Sequence, residues 1–232
     1  MPIDAKLAIF IQARMSSTRC PGKMMADIGG RPMLQRVVDR FQGRLGLETI
    51  VVTSEETSDD LLSTFCRESK ISCFRGPLDD VVARYLLAGE AFGVEHVIRI
   101  CGDSPWIDNG VVQALLEVGK NESADVFSNV SPRSFPKGQS VESFSLDLLR
   151  DYHGVMDTQD LEHVTRYFYR HPEQFSIFNM KSERDYSHLD MTVDQSCQLE
   201  ICRKIHKLSE GRCWSLSHLE LIETYGEHFC QS

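Results

Sequence analysis

The chain has 232 residues, 41% apolar and 25% charged, the proportions of a packed globular protein and not of a disordered one. Its net charge of −9 excludes broad binding to nucleic acid or to an anionic membrane, both of which need a basic field. No apolar run approaches the ~20 residues that span a bilayer, and residues 1–10 carry Asp4 and no signal-peptide core, so a cytoplasmic chain is expected.

Leu7-Ala8-Ile9-Phe10-Ile11 is a short apolar run that reads as a buried parallel strand feeding a polar loop. Pro32 then opens a helical pattern with Met33, Leu34, Val37, Val38 and Phe41 on one face. Ile50-Val51-Val52-Thr53 is a second strand, and Asp59 or Asp60 caps a helix through Leu61, Leu62 and Phe65. Ser72-Cys73-Phe74 is a third strand. Asp79 begins a helix whose core face is Val81, Val82, Tyr85, Leu86 and Ala88. Val97-Ile98-Arg99-Ile100-Cys101 is a fourth strand, and Asn109 caps the helix after it. Strict alternation of strand and helix implies βαβ units with right-handed crossovers and a mainly parallel sheet.

The second half is less regular. Short strands are expected near 125–129, 141–145 and 175–180, a helix over 162–169, and a loop over 131–140. An extended step at Met191-Thr192-Val193-Asp194 leads into a helix over 198–208, and Ser215 or Ser217 caps a last one. No linker or internal repeat divides the chain, so one domain over 1–232 is expected. The eight cysteines contain no C-x-x-C, and a chain this long needs no disulfide framework, so reduced thiols are expected.

Three places carry chemistry. In residues 12–23, Gln12-Ala13-Arg14-Met15-Ser16-Ser17-Thr18-Arg19-Cys20-Pro21-Gly22-Lys23, three cations and three hydroxyls follow a buried strand, where α/β sheets bind ligands. Residues 1–44 as a whole stand at +5 against −14 for the remainder, a basic focus that suits a compact polyanion such as a nucleoside triphosphate. The loop is not a Walker A motif, and read alone it equally suits a solvated surface segment. Gly102-Asp103-Ser104-Pro105 puts a carboxylate at a strand's carboxyl end, where it offers oxygen to Mg²⁺ or simply closes a turn. Thr192-Val193-Asp194 puts a second carboxylate before a helix, as a metal ligand or as an N-cap.

Taken in order, the 12–23 loop, Phe74-Arg75-Gly76-Pro77-Leu78-Asp79-Asp80, the Arg99–Pro105 turn, Glu162-His163-Val164-Thr165 and Thr192-Val193-Asp194 resemble the cytidylyltransferase family. The likeness is to its spore-coat-polysaccharide branch, related to the synthetases of CMP-octulosonate and CMP-nonulosonates, and it covers about residues 7–208. It implies a nucleotide-diphospho-sugar transferase-like α/β/α sandwich, often dimeric, with Mg²⁺ as cofactor and CTP and a sugar acid as substrates. CMP would pass to the acid and pyrophosphate would leave. Triphosphate contacts fall to Gln12, Ala13, Arg14, Ser16, Ser17, Arg19, Lys23 and Gly102, with Arg14, Lys23 and Asp103 as the catalytic set. Base or ribose contacts fall to Arg75 and Asp79, and the metal to Asp103 and Asp194. Acceptor contacts fall to Lys137, Glu142 and His163, the histidine holding the acid's carboxylate, serving as base, or merely packing on a helix. Three positions depart from the family pattern: Cys20 for an apolar Leu, Ser140 for an Asp, and Cys101 for the Gln of the octulosonate enzymes. A glycosyltransferase with a D-x-D-like metal site, or a nucleotide-sensing module without catalysis, are the rival readings.

Overall fold

A computed structural model describes residues 6–231; Asp4, the charge that argues against a leader, lies outside them. The chain runs β1 (Leu7–Gln12), α1 (Met33–Val38), β2 (Glu48–Ser54), α2 (Asp60–Glu68), β3 (Ser72–Gly76), α3 (Val81–Phe92), β4 (His96–Cys101), α4 (Asn109–Asn121), β5 (Val126–Ser128) and β6 (Glu142–Ser145). It continues through α5 (Leu146–Tyr152), α6 (Thr158–Glu162), α7 (Arg166–Arg170), β7 (Ile177–Asn179), β8 (Leu189–Asp190), α8 (Ser196–Leu208), α9 (His218–Tyr225) and β9 (Cys230–Gln231).

Seven strands form one mixed sheet in the order β3-β2-β1-β4-β6-β5-β7. β1 pairs in parallel with β2 on one side and β4 on the other, while β6 runs antiparallel to both of its neighbours. The two-residue side-chain period of a strand sends alternate residues of β1 to opposite faces. Ile9 and Ile11 join a core with residues of α1, α2, α4, α8 and α9, whereas Ala8 and Phe10 join one with α3, α5 and α7. All four are at most 1% exposed. Both faces of the sheet are therefore covered at β1, which is why that central parallel strand reads as a continuous apolar run and does not alternate. The result is the three-layer α/β/α sandwich that the family resemblance implies.

The connections of the first half explain where a ligand can sit. α1 and α2 carry the chain from β1 to β2 to β3 on one face, and α3 returns it on the other face to β4 beside β1. The strand order thus reverses between β1 and β4, a topological switch that leaves a crevice beyond their carboxyl ends. Register pairs Gln12 with Cys101 at the floor of that crevice.

Several local expectations shift. Asp80, not Asp79, caps α3, its carboxylate accepting from Ala83 N at 2.7 Å. Asp108, not Asn109, caps α4 and accepts from Gly110 N at 2.8 Å. Of the candidates for the last helix, Ser217 is the cap, in a capping box with Glu220. Within α2, Leu62 is fully buried while Leu61 is 57% exposed. The helix expected over 162–169 is two short ones, α6 and α7, parted at His163 where φ is −110° and ψ 67°. Val164 and Thr165 dip into the interior there, and Thr165 Oγ1 donates to Glu142 at 2.7 Å. All eight cysteines are free thiols, and among the described residues no helix is long and apolar enough to cross a membrane.

Candidate active site

The crevice is a cleft of about 370 Å³. Gln12, Ala13, Arg14, Ser16, Ser17, Arg19, Lys23, Asp103, His163 and Asp194, ten of the residues singled out from sequence, line it. Its centre is the Lys23 ammonium. The Lys23 residue is 6% exposed, and its Nζ donates to Val193 O at 2.7 Å, to Asp194 Oδ1 at 2.8 Å and to Asp103 Oδ2 at 3.3 Å. Arg19 reaches Asp194 at 3.1 Å and Arg14 reaches Glu162 at 3.2 Å. Every cation of the loop is therefore held by a carboxylate across the cleft, where a polyanion would compete for it.

Backbone bonds explain why segments so far apart in sequence converge. Val193 N donates to Asp103 O at 2.8 Å, joining the two Asp-bearing turns directly. Asp194 is not the cap of α8: that place belongs to Gln195, and the Gln198 side chain takes the Asp194 N–H at 2.7 Å. The Asp194 carboxylate is thereby left for the cleft. Gly102 lies under β1, its N–H donating to Gln12 O at 2.8 Å. A Cβ there would stand 2.9 Å from Ala13 Cβ and 3.0 Å from Gln12 O, so Gly102 acts by allowing close packing beneath the cleft and does not line it.

The loop itself is pinned by a residue that sequence reasoning read as a helix cap. Asp59 is fully buried. Its Oδ1 accepts from Met15 N at 2.6 Å, and its Oδ2 accepts from Thr53 Oγ1 and Ser54 N, each at 3.0 Å, and from Ser54 Oγ. No capping bond to α2 is made. Arg84, 1% exposed and bonded to the carbonyls of Pro77 and Leu78, also lines the cleft, as does Glu162. The sequence signal for Arg84 was present: a charge between the core positions Val81, Val82 and Tyr85 of one helix.

Other assigned residues stand elsewhere. Arg75 is a latch on β2 and α2, donating to Ser54 O, Glu56 O and Asp60, and Asp79 is exposed; neither lines the cleft. Lys137 bonds Asp190 at 3.1 Å and Asp194 at 3.5 Å, at the edge of the carboxylate group. Glu142 is buried in the sheet with Arg99, Thr165 and Tyr169 and presents no oxygen to the cleft. Its partner Arg99 also donates to Gln12 Oε1 at 3.3 Å, which leaves the Gln12 amide NH₂ as the donor at the cleft floor. Ser140 accepts from Arg133 at 3.1 Å.

Electrostatics set the two aspartates apart. Burial pushes the Asp103 carboxyl above its ordinary value and the Asp194 charge adds to this, with Lys23 opposing. Burial acts in the same sense on Asp194, but the Lys23 hydrogen bond and the charges of Lys23, Lys137 and Arg19 outweigh it and hold that carboxyl low. Among the described residues no group of three or more His, Cys, Asp or Glu forms a closed metal cage. Two carboxylates with oxygens within 3.3 Å of one cationic nitrogen do fit Mg²⁺, which takes one or two carboxylates and completes its shell with phosphate oxygens and water.

The comparisons agree with this architecture. The cytidylyltransferase family profile matches residues 8–227. The chain is 28% identical over 225 residues to the spore coat polysaccharide biosynthesis protein SpsF of Bacillus subtilis (strain 168), covering 93% of this chain and 92% of that protein. A solved cytidylyltransferase from Leptospira borgpetersenii serovar Hardjo-bovis superposes with a TM-score of 0.88 at 29% identity, over 96% of this chain and 94% of its own. A CMP:2-keto-3-deoxy-manno-octonic acid synthetase solved with CTP shares the fold, with a TM-score of 0.66 at 18% identity over 88% of this chain and all of that one. With a switch-point cleft of cations and paired carboxylates, and a match along nearly its whole length, the chain belongs to the cytidylyltransferase family.

Proposed function

We propose that this chain transfers CMP from CTP to a hydroxyl of a sugar acid, releasing pyrophosphate, in the making of a surface polysaccharide or glycan. The reading rests above all on one observation: Lys23 Nζ lies between Asp103 and Asp194, with Arg14, Arg19 and the loop hydroxyls on the same cleft.

In this reading the acceptor oxygen forms a bond to the α-phosphorus of CTP. The bond from that phosphorus to the bridging oxygen breaks, the hydroxyl proton is lost, and pyrophosphate leaves with the electron pair. Such chemistry depends on positioning and on neutralising charge. Arg14, Arg19 and Lys23 give up their carboxylate partners to the triphosphate and then hold the leaving pyrophosphate. The backbone and hydroxyls of Ala13, Ser16 and Ser17 line its path, and the Gln12 amide donates at the floor. Asp103 and Asp194 would hold Mg²⁺, which when bound polarises phosphate oxygens and offsets their charge. His163, exposed at the rim, meets the acceptor, holding its carboxylate or taking the proton that its hydroxyl releases. Lys137 orients Asp194 from the acceptor side. The same reading takes residues 1–232 as one domain acting in the cytoplasm as a homodimer, a state that light scattering on the purified chain would report.

The deciding experiment is Mg²⁺-dependent pyrophosphate release from CTP, ATP, GTP and UTP across a panel of octulosonic and nonulosonic acids. CTP with one acid should stand out, and Lys23→Ala should lower that turnover by about 10²–10³-fold in a chain that remains folded. Equal release from all four nucleotides would refute the cytidine assignment. Normal turnover by Lys23→Ala would refute the mechanism.

A further inference from the structure

A second basin, of about 770 Å³, opens on the sheet face that carries α1 and α8, and it shares no residue with the cleft. Its wall carries Arg31, Arg36, Arg40 and Arg44 with a single carboxylate, Asp39, in a chain whose net charge is −9. Asp39 is already taken, by Arg31 at 2.6 Å and by Gln35 at 2.6 Å.

The two inner guanidinium groups are the telling ones. Arg36 and Arg40 are 8% and 7% exposed, and among the described residues neither forms an ion pair. Arg36 donates from Nε and Nη2 to the carbonyls of Ile28 and Gly29. Arg40 donates to the carbonyls of Ile107, Trp214 and Leu216. Carbonyls fix a guanidinium in place without cancelling its charge, and a buried uncompensated charge is costly. Burial accordingly lowers the pKa of both groups. Arg36 Nη1 has no partner among the described residues, and the outer arginines, Arg31 and Arg44, keep donors free.

Two further contacts narrow the class of ligand. His206 Nδ1 accepts from Trp214 Nε1 at 2.9 Å, which puts the proton of the neutral ring on Nε2. That nitrogen lies where a Cβ on Gly29 would stand, 1.9 Å away, so only glycine at 29 admits the imidazole to this wall. Trp214 stacks on Trp106 at 4.3 Å and is covered by the Arg36 guanidinium at 4.6 Å. Both of its faces are therefore taken, and no ring is left to stack a base. Recognition here works through N–H donors and positive charge alone.

We propose that this basin is a second ligand site, for a phosphate-class anion: free phosphate, pyrophosphate or a phosphate ester. Arg36 Nη1, Arg31, Arg44 and His206 Nε2 supply the donors to its oxygens, and the anion is the counter-ion that Arg36 and Arg40 lack.

Isothermal titration of inorganic phosphate, pyrophosphate and a hexose phosphate into the full chain tests this, with ionic strength held constant by chloride. Binding should survive Lys23→Ala, which disables the cleft, and should weaken by roughly tenfold or more in the double variant Arg31→Gln/Arg44→Gln, which removes charge-assisted donors. Both of those side chains are exposed, so the double variant should keep its denaturation midpoint. The tightest of the three probes tells a free anion from an ester. Loss of binding in Lys23→Ala, full retention in the double variant, or no heat above the chloride control would each overturn the proposal.

Discussion

Asp59→Asn asks whether the cleft's loop is held by one buried carboxylate. The four donors on that group are unevenly shared: Oδ2 takes Thr53 Oγ1, Ser54 N and Ser54 Oγ, while Oδ1 takes only Met15 N. An asparagine has one acceptor oxygen. It will turn that oxygen to the three donors of β2 and set its NH₂ against the Met15 N–H. The loop thereby loses a charge-assisted hydrogen bond worth about 1.5–3 kcal/mol and gains a donor facing a donor. The three remaining bonds weaken, because their acceptor is no longer charged. If that free energy is what orders residues 14–18, CTP binding must supply it in the variant, and its Kd should rise by about 10–100-fold. Titration of CTP with Mg²⁺ into both proteins measures this, and urea midpoints measure the accompanying loss of stability. A variant that is less stable but binds CTP as the parent does would show that Asp59 supports β2 alone and that the loop needs no anchor.

Gly102→Ala should cost about 1–3 kcal/mol by overpacking, since its methyl would press on Ala13 Cβ at 2.9 Å and on the Gln12 carbonyl at 3.0 Å; an unchanged urea midpoint would contradict the packing. Arg75→Ala should leave CTP affinity within about twofold, a span of under 1 kcal/mol, because its bonds go to Ser54, Glu56 and Asp60 outside the cleft; a large loss in the same titration would return it to the nucleotide site. Burial pushes His96 down to about 4, so the folded chain prefers the neutral ring. Its contribution is complete above the unfolded value near 6.5 and is lost as pH falls from there toward 4, by at most about 3 kcal/mol. His96→Gln should therefore lose less stability than the parent between pH 7 and 4.5, and parallel urea midpoints across that range would refute the assignment.

The first half of the fold was legible because burial on both faces writes itself into β1, β2 and β4 as continuous apolar runs. What slipped there was a matter of one residue. Asp79 and Asp80, or Asp108 and Asn109, are adjacent residues of equal capping chemistry, and only the tertiary position of α3 and α4 chooses between them. The break at His163 was not legible, since the apolar residues Leu161, Val164 and Phe168 keep a helical spacing straight across it. The bond that draws Thr165 inward ends on Glu142, which no local pattern reveals. The cleft itself was readable as a set of residue types, cations in one loop and carboxylates at two turns. Its pairing was not, because Lys23 and Asp194 are distant in sequence and meet where the Val193 amide bonds the Asp103 carbonyl. Asp59 shows the limit most clearly: the same side chain that suits a helix start instead spends all four of its contacts on other parts of the chain.

That backbone bond also bears on the order of events at the ribosome. The four parallel strands β3-β2-β1-β4 can assemble while the last third of the chain is still being made, and they already bring the basic loop beside Asp103. Asp194 arrives late, and until the Val193 amide docks on the Asp103 carbonyl the cleft of the nascent protein has only one carboxylate of the pair that holds Lys23. Under the transfer reaction proposed above, chemistry waits until synthesis is nearly finished, and a product truncated before Asp194 is expected to bind nucleotide without turning it over.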